Sequence, residues 1–338
     1  MNYADFHRTS IEDPENFWRK EAERIDWHRP FNQVLDYSRP PFARWFVGGQ
    51  TNLCHNAVDR WASRQGEQTA LIAITTETLD GTPAEKTWSF KELQSEVERM
   101  AAIMQSLGVV KGDTVLIYMP MIAEAVFAML ACARIGAIHS VVFGGFASNS
   151  LATRIEDAQP KLIVSADAGS RGGKPVPYKP LLDQAIALSS HKPSYVLMVD
   201  RKRVAMEMVQ GRDVDYTALR EQYLHARVPV TWLASDDISY ILYTSGTTGR
   251  PKGVQRDVGG YAVALAASMD YIFEGKPGET YFSTSDIGWV VGHSYIVYGP
   301  LIAGMATVLY EGTPLRPDAS IWWPVSYTHL RAHETRED

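Results

Sequence analysis

The sequence has 338 residues, 45% of them hydrophobic, with a formal net charge of −6 and a pI near 5.9. A chain of this size buries a core without disulfides or a structural metal, and its mild acidity argues against nucleic acid or an anionic membrane as a partner. No apolar stretch reaches the ~18 residues needed to cross a bilayer; the longest apolar-rich run, 123–133, contains Glu124.

The first residues, MNYADFHRTSIEDPENFW, are acidic and lack an apolar core, so they do not read as a secretory signal. Cys54 and Cys132 stand far apart without metal-ligand spacing and read as reduced thiols of a cytoplasmic protein. Asp13-Pro14-Glu15 predicts a helix start: an N-cap, a proline in the first turn, then an acid. That helix runs to about Arg24, and the proline- and aromatic-punctuated stretch 29–46 reads as loop. Residues 1–60 form an N-terminal extension on this reading.

From residue 68 onward, strand and helix patterns alternate. Ala70–Thr75 reads as a strand, and Ser89 to Glu92 forms a capping box. The helix it opens carries Leu93, Val97, Met100, Ile103, Met104 and Leu107 at helical spacing and stops at Gly108. Strand 114–119, helix 123–135, strand 137–143, helix 148–158, strand 161–166, a loop, a helix near 180–188 and strand 195–199 follow. Continuous apolar strands separated by helices predict an α/β fold with parallel sheet covered on both faces. No linker composition divides residues 61–325, which read as one large domain built from more than one αβ layer set.

The apolar run 241–243 stops abruptly at Thr244-Ser-Gly-Thr-Thr-Gly249-Arg-Pro-Lys252-Gly253. Glycines let backbone amides turn toward an anion, Thr244, Ser245, Thr247 and Thr248 add hydroxyl donors, and Lys252 supplies positive charge. The segment reads as a phosphate cradle, although an ordinary polar hairpin loop has the same composition. A Walker loop does not fit, because Lys252 is followed by Gly253 and not by Ser or Thr.

The run Tyr243-Thr-Ser-Gly-Thr-Thr-Gly-Arg-Pro-Lys-Gly253 resembles the signature of the adenylate-forming family of acyl-CoA synthetases, luciferases and peptide-synthetase adenylation domains. Segments 42–46, 51–56 and Asp59-Arg60 resemble the N-terminal extension of its acetyl- and propionyl-CoA synthetase branch, which luciferases and long-chain enzymes lack. Segments 119–124, 131–136, 139–146 and 285–295 are similar to the same branch. Segments 165–169, 255–261 and 288–293 look closer to its propionate-activating members than to its acetate-activating ones. The resemblance spans residues 3–325.

What the resemblance implies is the N-terminal part of an adenylate-forming large domain, with layered αβ sheets and an N-terminal extension. It further implies an acid–thiol ligase, joining propionate to coenzyme A through an acyl-adenylate with release of pyrophosphate and AMP. An acetate–CoA ligase and a non-catalytic nucleotide-binding fragment are the alternatives. The implied small molecules are ATP, Mg²⁺, coenzyme A and the short acid. Carried over residue by residue, Thr244, Ser245, Gly246, Thr247, Thr248, Gly249 and Lys252 would grip the ATP phosphates. Arg171, Gly172, Gly173 and Lys174 would meet the nucleotide part of CoA. Trp289, Val290 and Val291 would line the acyl pocket, with Val291 also beside the pantetheine. A core strand is the other reading of those three residues. His293 reads as structural or pocket-lining, since no orienting acid accompanies it, and Asp286 as a turn residue.

The family's further segments are expected downstream: a Gly-Glu-Pro segment near adenine, a Trp-Trp-x-Thr-Glu segment with the Mg²⁺ glutamate, and a small domain carrying a lysine. Trp322-Trp323 comes too early and is followed by Pro-Val. Residues 326–338 depart from the family and are nearly all polar, so they are expected to be a disordered, non-native tail. His329 and His333 within it are four apart, but without further ligands they do not make a zinc site.

Overall fold

The computed structural model describes residues 3–76, 83–244, 251–313, 315 and 320–329. Seven strands form the large sheet, in the order Asp213–Asp215, Tyr195–Val199, Leu162–Ala166, Thr114–Tyr118, Ile138–Val142, Ile238–Thr244 and Lys252–Asp257. The first six run parallel, and the last turns back antiparallel on its neighbour. A second sheet has the order Thr280–Phe282, Ala306–Glu311, Thr69–Thr75, Ala84–Ser89, antiparallel only at the final pair. The expected α/β class with parallel sheets is therefore what the chain forms.

Strand periodicity explains why the runs in the large sheet are apolar throughout. Successive side chains point to opposite faces. Val115, Ile117, Leu162, Val164 and Leu197 join one buried cluster with the helices Phe90–Ser106 and Ala123–Ile135. Leu116, Tyr118, Ile163, Val196 and Met198 join another with the helices Ser148–Ala158 and Tyr178–Leu188. Helix Ala123–Ile135 is buried around nearly its whole circumference. Its Phe127 reaches Trp88 of the second sheet, ring centroids 5.5 Å apart, so apolar residues occupy every face.

The helix punctuation follows the local chemistry. Ser89 Oγ accepts from the Glu92 amide at 3.3 Å while Glu92 Oε2 accepts from the Ser89 amide at 2.7 Å. Asp13 caps helix Pro14–Glu21, and a short 3₁₀ turn carries the chain on to Arg24. Gly108 and Gly136 take positive φ (83° and 75°) just past their helices.

Three expectations are corrected. The stretch 29–46 contains a β-hairpin, Gln33–Arg39 paired with Phe42–Val47, because Val34 and Phe46 bury one face while Pro40 and Pro41 occupy the turn. The loop after strand Leu162–Ala166 is also a hairpin, Ala168–Arg171 with Lys174–Pro177. Residues 326–329, expected to be disordered, close the helix Trp322–His329, and His329 Nε2 lies 2.9 Å from Glu85 Oε2. Residues 330–338, His333 among them, lie outside the described residues.

A buried ion cluster ties Asp59, at the start of the domain, to two of its helices. Arg134 Nη1 donates to both carboxylate oxygens of Asp59 (2.8 and 2.9 Å), and Nη2 donates to Glu98 Oε1 (2.9 Å). Its Nε donates to the carbonyl of Val228. Both cysteines are free and buried, and burial pushes the Cys54 thiol up to about 12, so it stays protonated.

Candidate functional site

Thr244 and Lys252, the segment 168–177 and the Trp289 segment lie at one end of the large sheet. Its parallel strands end there, at Tyr118, Val142, Ala166 and Thr244. From strand Thr114–Tyr118 the chain crosses to Ile138–Val142 on one side, whereas from Leu162–Ala166, its other neighbour, it crosses away to Tyr195–Val199. Loops that diverge in this way open a crevice beyond the strand ends, the usual ligand position in open α/β sheets.

Thr244 and Lys252 face each other as the last pair of the Ile238–Thr244/Lys252–Asp257 hairpin, and both are exposed. Tyr243 anchors its base, donating to Asp157 Oδ2 at 2.6 Å, and Arg154 lies over the ring at 5.6 Å. The Thr244/Lys252 pair thus stands on a braced stem. Ser245, Gly246, Thr247, Thr248 and Gly249 lie outside the described residues.

The Ala168–Pro177 hairpin follows strand Leu162–Ala166, which two strands separate from Ile238–Thr244 in the sheet. Gly172 and Gly173, both at positive φ (60° and 79°), form its two-residue tip. This tip makes Arg171 and Lys174 a directly opposed, exposed pair. Like charges placed opposite each other across strands are destabilising, and an anion bound between them relieves that cost.

Trp289, Val290 and Val291 are not a core strand. Asp286 forms the turn expected of it, Oδ1 accepting from the Gly288 amide at 2.6 Å and its carbonyl accepting from the Trp289 amide at 3.0 Å. A helical turn, Val290–Gly292, follows and leaves the three side chains 43–49% exposed. Val290 lines a cleft of 560 Å³ with Tyr261, Ser294, Tyr295 and, from the extension, Trp45. Trp289 lies against Phe143, ring centroids 6.1 Å apart.

Gly292 is required by this turn. A Cβ there would stand 2.7 Å from Ile287 Cα and closer still to the Asp286 carbonyl. Because the obstacle is backbone, Gly292→Ala is expected to cost about 1–3 kcal/mol. Urea unfolding gives the loss, and faster amide exchange confined to 286–293 would locate it.

His293 is fully buried, its Nδ1 3.1 Å from the Trp289 carbonyl, to which it donates. It stacks nearly parallel on His139 (5.6 Å, 8°) and lies 4.7 Å from the Tyr240 ring. Burial lowers His293 to about 4; burial, then the neighbouring His293, holds His139 well below the ordinary imidazole value. His293 is thus a weakened base, and its bond to the Trp289 carbonyl ties it to the start of that turn. A folded pKa below the unfolded one gives stability that is complete above pH ~6.5 and lost toward pH 4, about 3 kcal/mol through His293. In a proton NMR titration, the His139 and His293 rings are expected to remain neutral at pH 5.

The sequence reading did not single out Phe143, Gly144 or Tyr178, which join these segments. The Phe143 backbone passes 3.0 Å from where a Gly288 Cβ would stand, and Tyr178 packs beside both Gly144 and Gly169. A glycine-bearing turn was visible at 143–146, but nothing local pointed to its neighbours.

A family model described as AMP-binding enzyme matches residues 58–329, and one described as Acetyl-coenzyme A synthetase N-terminus matches residues 3–57. The chain is 64% identical over 325 residues to the "Propionate--CoA ligase" of Salmonella typhimurium and 62% identical over 325 residues to that of Escherichia coli. Each alignment covers 96% of this chain and 51% of the relative. The rat "Acyl-CoA synthetase short-chain family member 3, mitochondrial" is 47% identical over 331 residues, 97% of this chain and 47% of that protein. The chain thus spans about half the length of the relatives it matches. With the AMP-binding model running from residue 58 to 329, through both hairpins and the Trp289 turn, the chain belongs to the AMP-binding enzyme family.

Proposed function

We propose that the chain is the N-terminal half of an ATP-dependent propionate–CoA ligase. A propionate carboxylate attacks the α-phosphorus of ATP, giving propionyl-adenylate and pyrophosphate, and the CoA thiol then displaces AMP to give propionyl-CoA. The observation that carries this reading is that two cation-bearing hairpins leave the same end of the large sheet, one bearing Lys252 and one Arg171 and Lys174. The names of the relatives at 64% and 62% identity support propionate as the acid.

Thr244, Ser245, Gly246, Thr247, Thr248, Gly249 and Lys252 grip the β- and γ-phosphates on this reading. Arg171, Gly172, Gly173 and Lys174 receive the CoA nucleotide. Trp289, Val290 and Val291 meet the alkyl tail, with Val291 beside the pantetheine. Among the described residues no group of three or more His, Cys, Asp or Glu could hold a metal, so no step is assigned to Mg²⁺. Residues 1–60 serve as the extension, 61–325 as the first part of the catalytic domain, and 326–338 as a non-native tail. No described helix is long and apolar enough to cross a membrane, and a cytoplasmic location fits a ligase that uses ATP and CoA.

Acid-dependent ATP–pyrophosphate exchange tests the reading in the protein completed by its second half. Exchange that requires propionate supports it. Equal exchange with acetate would leave a general short-acid ligase, since one methylene in an apolar pocket is worth only about 1–3 kcal/mol. Acid-independent release of phosphate would overturn it.

A further inference from the structure

We propose that Tyr178 is a positioning residue: wedged between Gly144 and Gly169, it fixes the Ala168–Pro177 hairpin, and hence the Arg171/Lys174 tip, relative to the Trp289 turn. The inference deepens the proposed function, because it rests on that hairpin receiving the CoA nucleotide.

Tyr178 directly follows the hairpin as the first residue of helix Tyr178–Leu188 and is 5% exposed. Its ring stacks on Tyr118, at the end of a central strand, with centroids 4.7 Å apart and planes 27° apart. The hydroxyl end enters a gap between two separate segments. A Cβ at Gly144 would come 2.7 Å from Tyr178 Cζ, one at Gly169 would come 2.5 Å from it, and both would come closer to the hydroxyl. Glycine at both positions is therefore what admits the ring. The two segments have different destinations. Gly169 belongs to the first hairpin strand, while Gly144 follows Phe143, which contacts Trp289 by its ring and Gly288 by its backbone.

The root of the hairpin is already fixed. Fully buried Asp167 accepts from the Ala168 amide at 2.8 Å and from the Arg203 and Val204 amides at 2.7 and 3.2 Å. Arg201 donates to the Ala168 carbonyl at 3.1 Å and to Glu311 Oε2 at 2.6 Å, linking the hairpin to the second sheet. The tip is open, since a Cβ at Gly172 would meet nothing within 4 Å. Beyond its root the ribbon is held where Tyr178 meets Gly169 and where Val176 packs on the buried cluster that contains Tyr178. One ring thus sets the spacing between the proposed CoA hairpin and the segment proposed to meet the acid.

The test compares the 338-residue chain with its Tyr178→Leu, Tyr178→Phe and Gly169→Ala variants. Hydrogen exchange by mass spectrometry follows peptides covering 168–177 and 143–146, with helix Ala123–Ile135 as internal reference. Tyr178→Leu is expected to speed exchange in both peptides at least tenfold with the reference unchanged. Tyr178→Phe, which keeps the ring and its stack, is expected to stay near wild type. Gly169→Ala displaces the ring without removing it and is expected to loosen the same two peptides, which settles the matter should Tyr178→Leu unfold the chain. Unchanged exchange at 168–177 in Tyr178→Leu, or in Gly169→Ala where the former does not fold, overturns the proposal. Calorimetric titration with CoA separates the underlying reading. Arg171→Ala should weaken CoA about tenfold and leave exchange alone. If wild type binds no CoA, or Arg171→Ala binds it equally well, the CoA assignment fails while the exchange data still decide whether Tyr178 is the brace.

Discussion

Replacing Arg134 by alanine is expected to destabilise the fold by about 3–5 kcal/mol, the range for breaking a buried ion cluster from one side. The guanidinium is 4% exposed and is enclosed by Asp59 and Glu98 side chains that are 13% and 7% exposed. Arg227 reaches Glu98 at 2.8 Å but is itself largely exposed, so it cannot stand in for the buried cation. Loss of Arg134 therefore strands two carboxylates in low dielectric and also leaves the Val228 carbonyl without its donor. The cluster ties the start of the family domain at Asp59 to helices Phe90–Ser106 and Ala123–Ile135, so the effect is global. A drop in melting temperature on the order of 10 °C should accompany the shift in urea midpoint. Arg134→Lys should recover little, because an ammonium cannot reproduce the two-oxygen grip on Asp59. Adding Asp59→Asn and Glu98→Gln to Arg134→Ala should restore part of the loss by removing the stranded charges. Failure of that triple variant to recover would mean that packing, and not charge, dominates the cluster.

Much of the large sheet was legible because its evidence is local. Runs such as 114–119 and 161–166 are apolar on both faces, and the helices between them carry their own stop signals in Gly108 and Gly136. The second sheet was not legible beyond Ala70–Thr75. Its partner Ala306–Glu311 lies more than two hundred residues away, and a parallel pairing over that distance leaves no turn chemistry to read. The hairpin at 33–47 was hidden by Pro40 and Pro41, which read as breakers although they only make its turn. In the Ala168–Pro177 hairpin, Pro175 and Pro177 are tolerated because each strand of a two-stranded ribbon has a free edge. For Trp289, Val290 and Val291 it is the alternative reading, a core strand, that fails. Three apolar residues in a row fit a core strand, but Gly288 and Gly292 permit a tight turn that leaves them half exposed. Tyr178 was beyond reach, since its role depends on two glycines from separate segments lying on either side of one ring.

Lys252→Ala, made in the protein completed by its second half, is expected to lower propionate-dependent pyrophosphate exchange by about 10²–10³-fold, the cost of removing one preorganised group at developing charge. Lys252 stands opposite Thr244 at the mouth of the hairpin, with the stem fixed through Tyr243 and Asp157. On the proposed reading, a cation held there would meet the pyrophosphate leaving group, whose charge rises as the bond to the α-phosphorus breaks. Because Lys252 is exposed, its removal should change stability by less than about 0.5 kcal/mol, so lost activity could not be put down to unfolding. Lys252→Arg keeps the charge and should retain more exchange than Lys252→Ala. The 338-residue chain alone is expected to exchange nothing, since the lysine-bearing domain and the Trp-Trp-x-Thr-Glu glutamate are expected in the second half. The split between constants identifies the role. A fall in kcat with an unchanged KM for ATP assigns Lys252 to the charge that develops during reaction, whereas a raised KM alone assigns it to binding ATP. Wild-type exchange in Lys252→Ala would remove the phosphate role from this hairpin and leave the Arg171/Lys174 tip as the anion site of the crevice.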